Sequence, residues 1–500
     1  MPTAAFPAEV RPGSVAAMPL PLGGYGACQV ASVAPDSALV HLLDWYSAET
    51  PTLAQLAGAG PLRLDHHAHD GRPDGVGVFA HHPVPPDFTW LGVQPVRPEV
   101  STTPNGYAEW LYLPRQVVAQ RRWERLPAAS KAAYRAGAGR GPVRVNLGGQ
   151  PAEMGAGVGQ LDLTRSPLVP TSGDVRWAGL DALPRCTTLF WSGPDRGLSD
   201  FLATRPMISY LGWRDAPPEV NLGDSGLTDL ALSGSDLRTV RLPPELLGLT
   251  LLGGLPRTVL VAERGRWLDL TAEVPAVPAP LPEGLRAVRH LVLRGDGVIL
   301  AAPLGVLTEL ETLSISWQKP PGRLVDPDAM ASLHRLHTLR LGNAYGCDAA
   351  TLPDLPRLRR LEVDGLPRSV VAPLKARYRN TEVGLTVRGA KADTWLAANV
   401  GNPFRDWVDD DPRGGAAACR AYAAALRAVD RLPTDHPSRT GEVERILKTL
   451  VDALNRADEK YGLIDTVNRE EAGDAFAGLA RRAGVPAEQA DSWFDEWRDF

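Results

Sequence analysis

Between residues 281 and 363 the apolar positions recur in steps of three, three and two. The copies are Leu285, Val288, Leu291 and Leu293; Leu307, Leu310, Leu313 and Ile315; Leu333, Leu336, Leu339 and Leu341; and Leu355, Leu358, Leu361 and Val363. The final alternating pair in each copy predicts a short strand with one buried face, and repetition at 22, 26 and 22 residues predicts strands laid side by side around a shared core. Anchored on Leu291, the same phase runs back through Leu268, Leu249, Leu230, Leu211 and Leu189, and forward through Leu313, Leu339, Leu361 and Val383. About ten rungs are therefore expected within residues 176–390. Three of the middle copies are only 19 residues long, and Val240 with Leu242 and Val259 with Val261 fall halfway between strands in two of them. So short a return leaves no room for an outer helix, so these pairs are expected to form outer strands. The longer copies, with Leu307 or Leu333 a turn before the strand, have room for a helical turn.

This L-x-x-L-x-L pattern resembles that of bacterial leucine-rich repeat proteins, a resemblance that implies a solenoid and a role in protein recognition. The chain departs from that family at the position of the ladder asparagine, where it has Asp296, Gln318, Ala344 and Leu366. Residues flanking the inward leucines are expected on the concave sheet: Phe190, Tyr210, Arg214, Trp267, His290, Arg294, Arg340, Arg360 and Glu362. Aromatic and arginine side chains are the usual anchors of protein interfaces, so this set is the candidate partner-binding surface.

Upstream, short apolar runs at residues 14–20, 25–33, 38–45, 76–80 and 88–93 are separated by Gly, Pro and Asp, which predicts a small all-β barrel or sandwich over residues 1–100. The stretch GSVAAMPLPLGGYGACQV, residues 13–30, resembles the opening of an immunity-protein family of bacterial polymorphic-toxin systems. In that family one strand enters as G-D-V-x-A-x-P-L and the next leaves as G-Y-G-x-x-x-V; Ser14 stands here where the family often has Asp. The resemblance implies binding to a toxin or a related protein.

His66, His67, His69, His81 and His82, half of the ten histidines, lie beside Asp65 and Asp70. His67 and His69 would share one side of a strand, and a hairpin could bring His81 opposite, giving a candidate divalent-metal site. The segment DHHAHDGRPDG also has the composition of a polar loop. A metal-binding protein or hydrolase using residues 65–82, and an accessory subunit of a neighbouring enzyme, are the alternatives to recognition. No cofactor beyond that metal is implied.

Residues 107–134 turn helical, with Trp110, Leu113, Val117, Val118 and Trp123 on an apolar face, Pro114 expected to start a second helix, and Arg121, Arg122 and Arg125 on a solvated basic face. The glycine-rich stretches that complete residues 101–175 contain no G-x-x-x-x-G-K-[ST] and read as a linker or loose strands leading into the first rung. From residue 391 the texture is helical: an alanine-rich helix, a second carrying Ile446, Leu447, Leu450, Val451 and Leu454, a third with Asn468 and Glu471 as capping pair and Gly484 at its end, and a last one with Trp493 and Trp497 a turn apart. Four such helices predict a bundle closing the solenoid. Asp409, Asp410 and Asp411 read as a solvated loop rather than a cation site.

The formal net charge is −5, which disfavours nucleic-acid binding by the whole chain. No run of 18 apolar residues and no basic segment followed by an apolar stretch occurs, so a cytoplasmic protein without membrane spans is expected. Cys28, Cys186, Cys347 and Cys419 form no C-x-x-C pair and are expected reduced and buried. Some bacterial repeat proteins carry a ubiquitin-ligase domain with a nucleophilic C-x-D loop, but Cys419 is followed by Arg420 and Ala421, so that chemistry is not expected. The expectation is thus a multidomain α+β protein, with a small all-β domain, a repeat solenoid and a C-terminal helical bundle, that recognises a protein partner, with enzymatic activity left open.

Overall fold

The computed structural model describes residues 6–500 except 22, 68, 98–99, 101, 140, 275–279, 349–351 and 434–438; Leu22 of the N-terminal motif and Arg140 of the glycine-rich stretch therefore lie outside the described residues. The chain divides into two compact units, Met1–Leu270 with Pro282–Val288, and Thr271–Leu281 with Arg289–Phe500.

In the first unit, a six-stranded sheet runs in the order Thr89–Val93, Ser14–Pro19, Tyr25–Val33, Ser37–Ser47, Gly75–Phe79 and Gly106–Ala108. The first five strands match the five predicted apolar runs to within two residues at each end. Alternation gives each strand two faces. Ala16, Met18, Cys28, Val30, Val40 and Leu42 point into the larger core, and Val15, Ala27 and Leu43 join Leu56 on the other side. The larger core is closed by a helix, Tyr112–Arg125, which presents Leu113, Val117 and Val118 to the sheet, with Trp110 just before it. Hence this is not an all-β domain, because one face of the sheet needs a helix from beyond residue 100 to exclude water. Pro114 does not start a second helix. It occupies the first turn of this one, where a missing N–H leaves no bond unmade.

Parallel strands follow, stacked leucine on leucine: Leu161 beside Leu189, Leu189 beside Leu211, Leu211 beside Leu230 and Leu230 beside Leu249. Stacking begins one rung earlier than the periodicity predicts, since Gln160–Asp162 comes out of the expected linker. The predicted position Leu268 also shifts. The Asp269 N–H donates to the Leu247 carbonyl at 2.8 Å, the bond that Gly248 N–H makes to Thr228 one rung earlier, so Leu270 is the counterpart of Leu249. Both leucines are buried, which is why the pattern alone chose the wrong one. The predicted outer strands are present as a three-stranded parallel sheet, in which Val220, Val240 and Val259 are neighbours and all buried.

In the second unit the stack runs through Leu291, Leu313, Leu339, Leu361 and Leu385. Leu385 thus replaces the predicted Val383, since the helix Arg368–Tyr378 lengthens that repeat. The helical turns expected in the longer copies are 3₁₀ turns at Ala302–Val306 and Pro327–Ser332. Four residues after the stacked leucine the chain often turns with positive φ, at Gly193, Asp215 and Gly253 in the first unit and Asn343, Gly365 and Gly389 in the second. Residues that tolerate the left-handed region are needed there. Backbone bonds between successive turns, such as Gly193 N–H to Arg214 and Ala344 N–H to Asp364, do the joining expected of an asparagine ladder, and Ala344 and Leu366 are simply buried.

The C-terminal region is helical: Pro412–Arg431, Arg439–Tyr461, Thr466–Arg482 and Ala487–Trp497, preceded by the shorter Asp393–Asn399 and Trp407–Asp410. Ile446, Leu447, Leu450, Val451 and Leu454 are all buried, and the Trp493 and Trp497 rings stack 5.3 Å apart. Asp465, not Asn468, caps the third long helix by accepting the Asn468 N–H, and Glu471 instead accepts the Trp407 indole N–H at 2.8 Å. Gly484 ends that helix at φ +84°, as predicted. Within this unit the Tyr345 hydroxyl donates to Asp406 at 3.1 Å, so the helical region grips the turn after one of the last rungs. Among the described residues, no helix is long and apolar enough to cross a membrane.

Candidate binding surfaces and the histidine-rich loop

The histidine-rich segment is a loop tied to the helices beside it. The Asp65 amide N–H donates to Gln120 Oε1 at 3.0 Å, while its carboxylate accepts from Gln120 Nε2 and from Arg135, each at 2.7 Å. Although burial acts to raise the Asp65 carboxyl, these hydrogen bonds hold it below its usual range. His66 Nε2 lies 3.2 Å from Gln116 Oε1, and the His67 ring sits 5.4 Å from Trp123 and 5.7 Å from Tyr134. Burial, with His69 and His67 nearby, lowers His66 to about 4, so its imidazole is neutral at physiological pH. Burial and the Arg122 guanidinium also lower His67. His69 stacks near His66 at 4.4 Å, whereas His81 stacks on Phe79 and His82. The anticipated convergence of His67, His69 and His81 is not seen: among the described residues, no three His, Cys, Asp or Glu side chains are grouped to hold a metal. The hairpin that would bring His81 opposite His67 does not form, because the strand Gly75–Phe79 pairs with Ser37–Ser47 and Gly106–Ala108 instead.

The arginines of Tyr112–Arg125, of which the sequence predicts Arg121, Arg122 and Arg125 to be solvated, have carboxylate and carbonyl partners. Arg121 pairs with Asp44 at 2.7 Å, Arg125 with Glu245 at 2.8 Å and Arg115 with Asp269 at 2.5 Å. Arg122 donates to the carbonyls of Pro206 and Gly226 and adjoins Glu245. Helix and rungs enclose a cavity of about 220 Å³ whose walls include Met207, Thr228, Asp229 and Leu247. The sequence had no signal for these pairings, since the partners lie up to 154 residues away.

The nine candidate partner-binding residues divide between the units. In the first, Phe190, Tyr210 and Arg214 point outward from their strands, with the Phe190 and Tyr210 rings 5.6 Å apart. Phe190 lies over Gly212, where a Cβ would come within 2.6 Å of its ring. Trp267 is not on a strand. It precedes Asp269–Val274, donates to Glu263 at 3.1 Å and carries the Arg266 guanidinium 5.4 Å over its ring. That displacement is the two-residue register shift between Leu268 and Leu270. In the second unit His290, Arg294, Arg340, Arg360 and Glu362 all alternate with buried residues and so face outward. Register sets Arg340 beside Glu362, at 3.3 Å, and Arg360 lies 3.8 Å from the same carboxylate.

An ion pair missed by the sequence reading lies just before these strands. Arg289 and Glu311 are each 4% exposed, bonded at 2.9 Å through Nε, and His337 stands 4.0 Å from the other Glu311 oxygen. A charged residue two places before the stacked leucine in successive copies was the available signal. Burial, then Arg360 and Arg289, lower His337.

The remaining candidates for chemistry are accounted for structurally. The acidic run is divided among three partners: Asp409 pairs with Lys391 at 2.5 Å, Asp410 accepts from Asn468, and Asp411 caps Pro412–Arg431. Burial raises the Cys419 thiol to about 11, and its Sγ donates to the Phe404 carbonyl at 3.2 Å, the opposite of an activated nucleophile. Cys186 and Cys347 are likewise raised to about 11 and Cys28 to about 12, all by burial.

No family model and no curated protein matches the chain. Among solved structures it is similar to an internalin from Listeria monocytogenes, at 16% identity over 45% of this chain and 68% of that one, with a TM-score of 0.24. The strand register above, rather than that likeness, identifies the repeats.

Proposed function

We propose that the chain is a protein-recognition module that holds a protein partner against the outward face of its stacked strands. The observation that carries this reading is the register-imposed row in the second unit, where Arg340, Arg360 and Glu362 stand on adjacent rungs with Arg294 exposed on an earlier strand. Parallel pairing holds these side chains at fixed spacing, so little ordering entropy is lost when they engage a partner. Phe190 and Tyr210 offer a smaller aromatic patch in the first unit. Trp267, displaced from the strand, is a weaker anchor than its aromatic character implied. The action is steric: a covered partner surface is unavailable to anything else.

Toxin neutralisation is the finer form of this proposal. It rests on the motif of residues 13–30, whose two halves occupy the antiparallel neighbours Ser14–Pro19 and Tyr25–Val33.

The test is photo-crosslinking in the native cell from a reactive residue placed at Ser314 or at Thr250, both outward and small, with Arg241 on the outer sheet as control. One protein crosslinked from Ser314 or Thr250 and not from Arg241 supports the proposal. Crosslinks only from Arg241 would sink it.

A further inference from the structure

A second cavity, of about 510 Å³, lies in the N-terminal part of the first unit. Its walls include His69, Asp70, Arg72, Asp74, Tyr107 and Tyr112. Asp74 is the unusual member. Its residue is only 6% exposed, yet among the described residues its Oδ2 is buried with no hydrogen-bond partner.

The backbone that carries the carboxylate is held on both sides. The Asp74 N–H donates to the Leu62 carbonyl at 3.2 Å, its own carbonyl lies 2.9 Å from His41 Nδ1, and Asn105 Nδ2 donates to the preceding Pro73 carbonyl at 3.2 Å. At the exposed lip Asp70 and Arg72 pair at 2.8 Å and cancel each other's charge. The Asn105 side chain and the Gly75 N–H donate to the Asp74 carboxylate, which leaves Oδ2 as the acceptor without a donor in the wall. A buried acceptor without a donor is costly, and an occupant that brings N–H groups and positive charge removes that cost.

The remaining walls select the kind of cation. A metal ion needs several convergent donors, and among the described residues no group of three is placed for one. Tyr107 and Tyr112 instead offer phenol rings, surfaces that attract organic cations. The volume suits a small molecule or one long side chain.

We propose that this cavity binds an organic cation, a primary ammonium or guanidinium group, on the Asp74 carboxylate. The group could belong to a free amine or to a lysine or arginine of a protein, because the contact chemistry is the same. This site is separate from the outward strand face, and its success or failure leaves that reading untouched.

Agmatine, an uncharged analogue in which ureido groups replace both its amine and its guanidine, and a short peptide with a central arginine are titrated into the full chain by calorimetry, with Asp74→Asn as the variant. The expected result is saturable agmatine binding, at least tenfold weaker binding of the ureido analogue, and at least tenfold weakening by Asp74→Asn. Binding of the peptide as well as agmatine identifies a side-chain ligand; binding of agmatine alone identifies a free amine. Equal affinity for the uncharged analogue, binding unchanged in Asp74→Asn, or no saturable binding of either cationic probe would overturn the proposal. Should Asp74→Asn fail to fold, methyl shifts at Leu64 and Val76 on adding agmatine to the native chain decide the matter: movement supports the site, and none refutes it.

Discussion

Arg289 and Glu311 show how burial changes the worth of a charge. Each is 4% exposed, so neither can recover hydration if its partner is lost. Glu311→Ala is expected to destabilise the second unit by about 3–5 kcal/mol, because it removes the carboxylate that offsets a buried guanidinium, whereas Arg289→Met with Glu311→Leu should cost much less. Denaturant titration of the two variants tests this; equal losses would show that the pair owes its effect to packing alone. His66 makes a different prediction. Folded, it is held at about 4 against an ordinary 6.5, so the unfolded chain takes up its proton first as pH falls. Stability should therefore decline from about pH 6.5 to about pH 4, by roughly 2–3 kcal/mol at the low end. Thermal melting across that window is expected to slope less in His66→Gln, and an unchanged slope would mean another group titrates.

At the scale of elements, Tyr112–Arg125 has three uses written on one helix. Leu113 and Val117 cover the N-terminal sheet, Gln116 and Gln120 hold the histidine-rich loop, and four arginines reach acceptors outside the helix. Those arginines are not equivalent. The Arg122 side chain is 13% exposed and satisfies two backbone carbonyls, while that of Arg125 is 63% exposed. Arg122→Ala is expected to cost about 2–4 kcal/mol and Arg125→Ala less than about 1 kcal/mol. Comparable losses in urea titrations would contradict the assignment of the carbonyl contacts as the important ones. The apolar face of this helix was legible in the sequence because its period is local. Its polar partners were not, because spacing carries no information about what a folded chain brings alongside.

For the molecule as a whole, the repeated rungs convert a one-dimensional pattern into a surface. Each inward leucine contributes about 2 kcal/mol of burial and, by alternation, commits its neighbours to the opposite face. Arg340→Ala with Arg360→Ala should therefore leave the melting temperature within a few degrees of the parent while weakening partner binding tenfold or more. Calorimetry and surface-based binding with the partner identified by crosslinking separate the two effects; unchanged affinity would move the interface elsewhere.

Local periodicity alone determined that this chain has N-terminal strands, a run of stacked leucine-rich rungs and C-terminal helices, since side-chain alternation and helical spacing act over a few residues. Tertiary structure alone decided that Leu270 and Leu385, rather than Leu268 and Val383, stack in register, because two apolar residues two places apart compete in each repeat and only inter-strand hydrogen bonds choose between them. It also decided that His66 and His67 pack against the helices beside their loop, that Arg289 meets Glu311 in the interior, and that one carboxylate oxygen of Asp74, in a cavity wall, has no donor among the described residues. These are matters of which groups are brought together and which are kept from water, and both depend on distances through space that sequence separation does not encode.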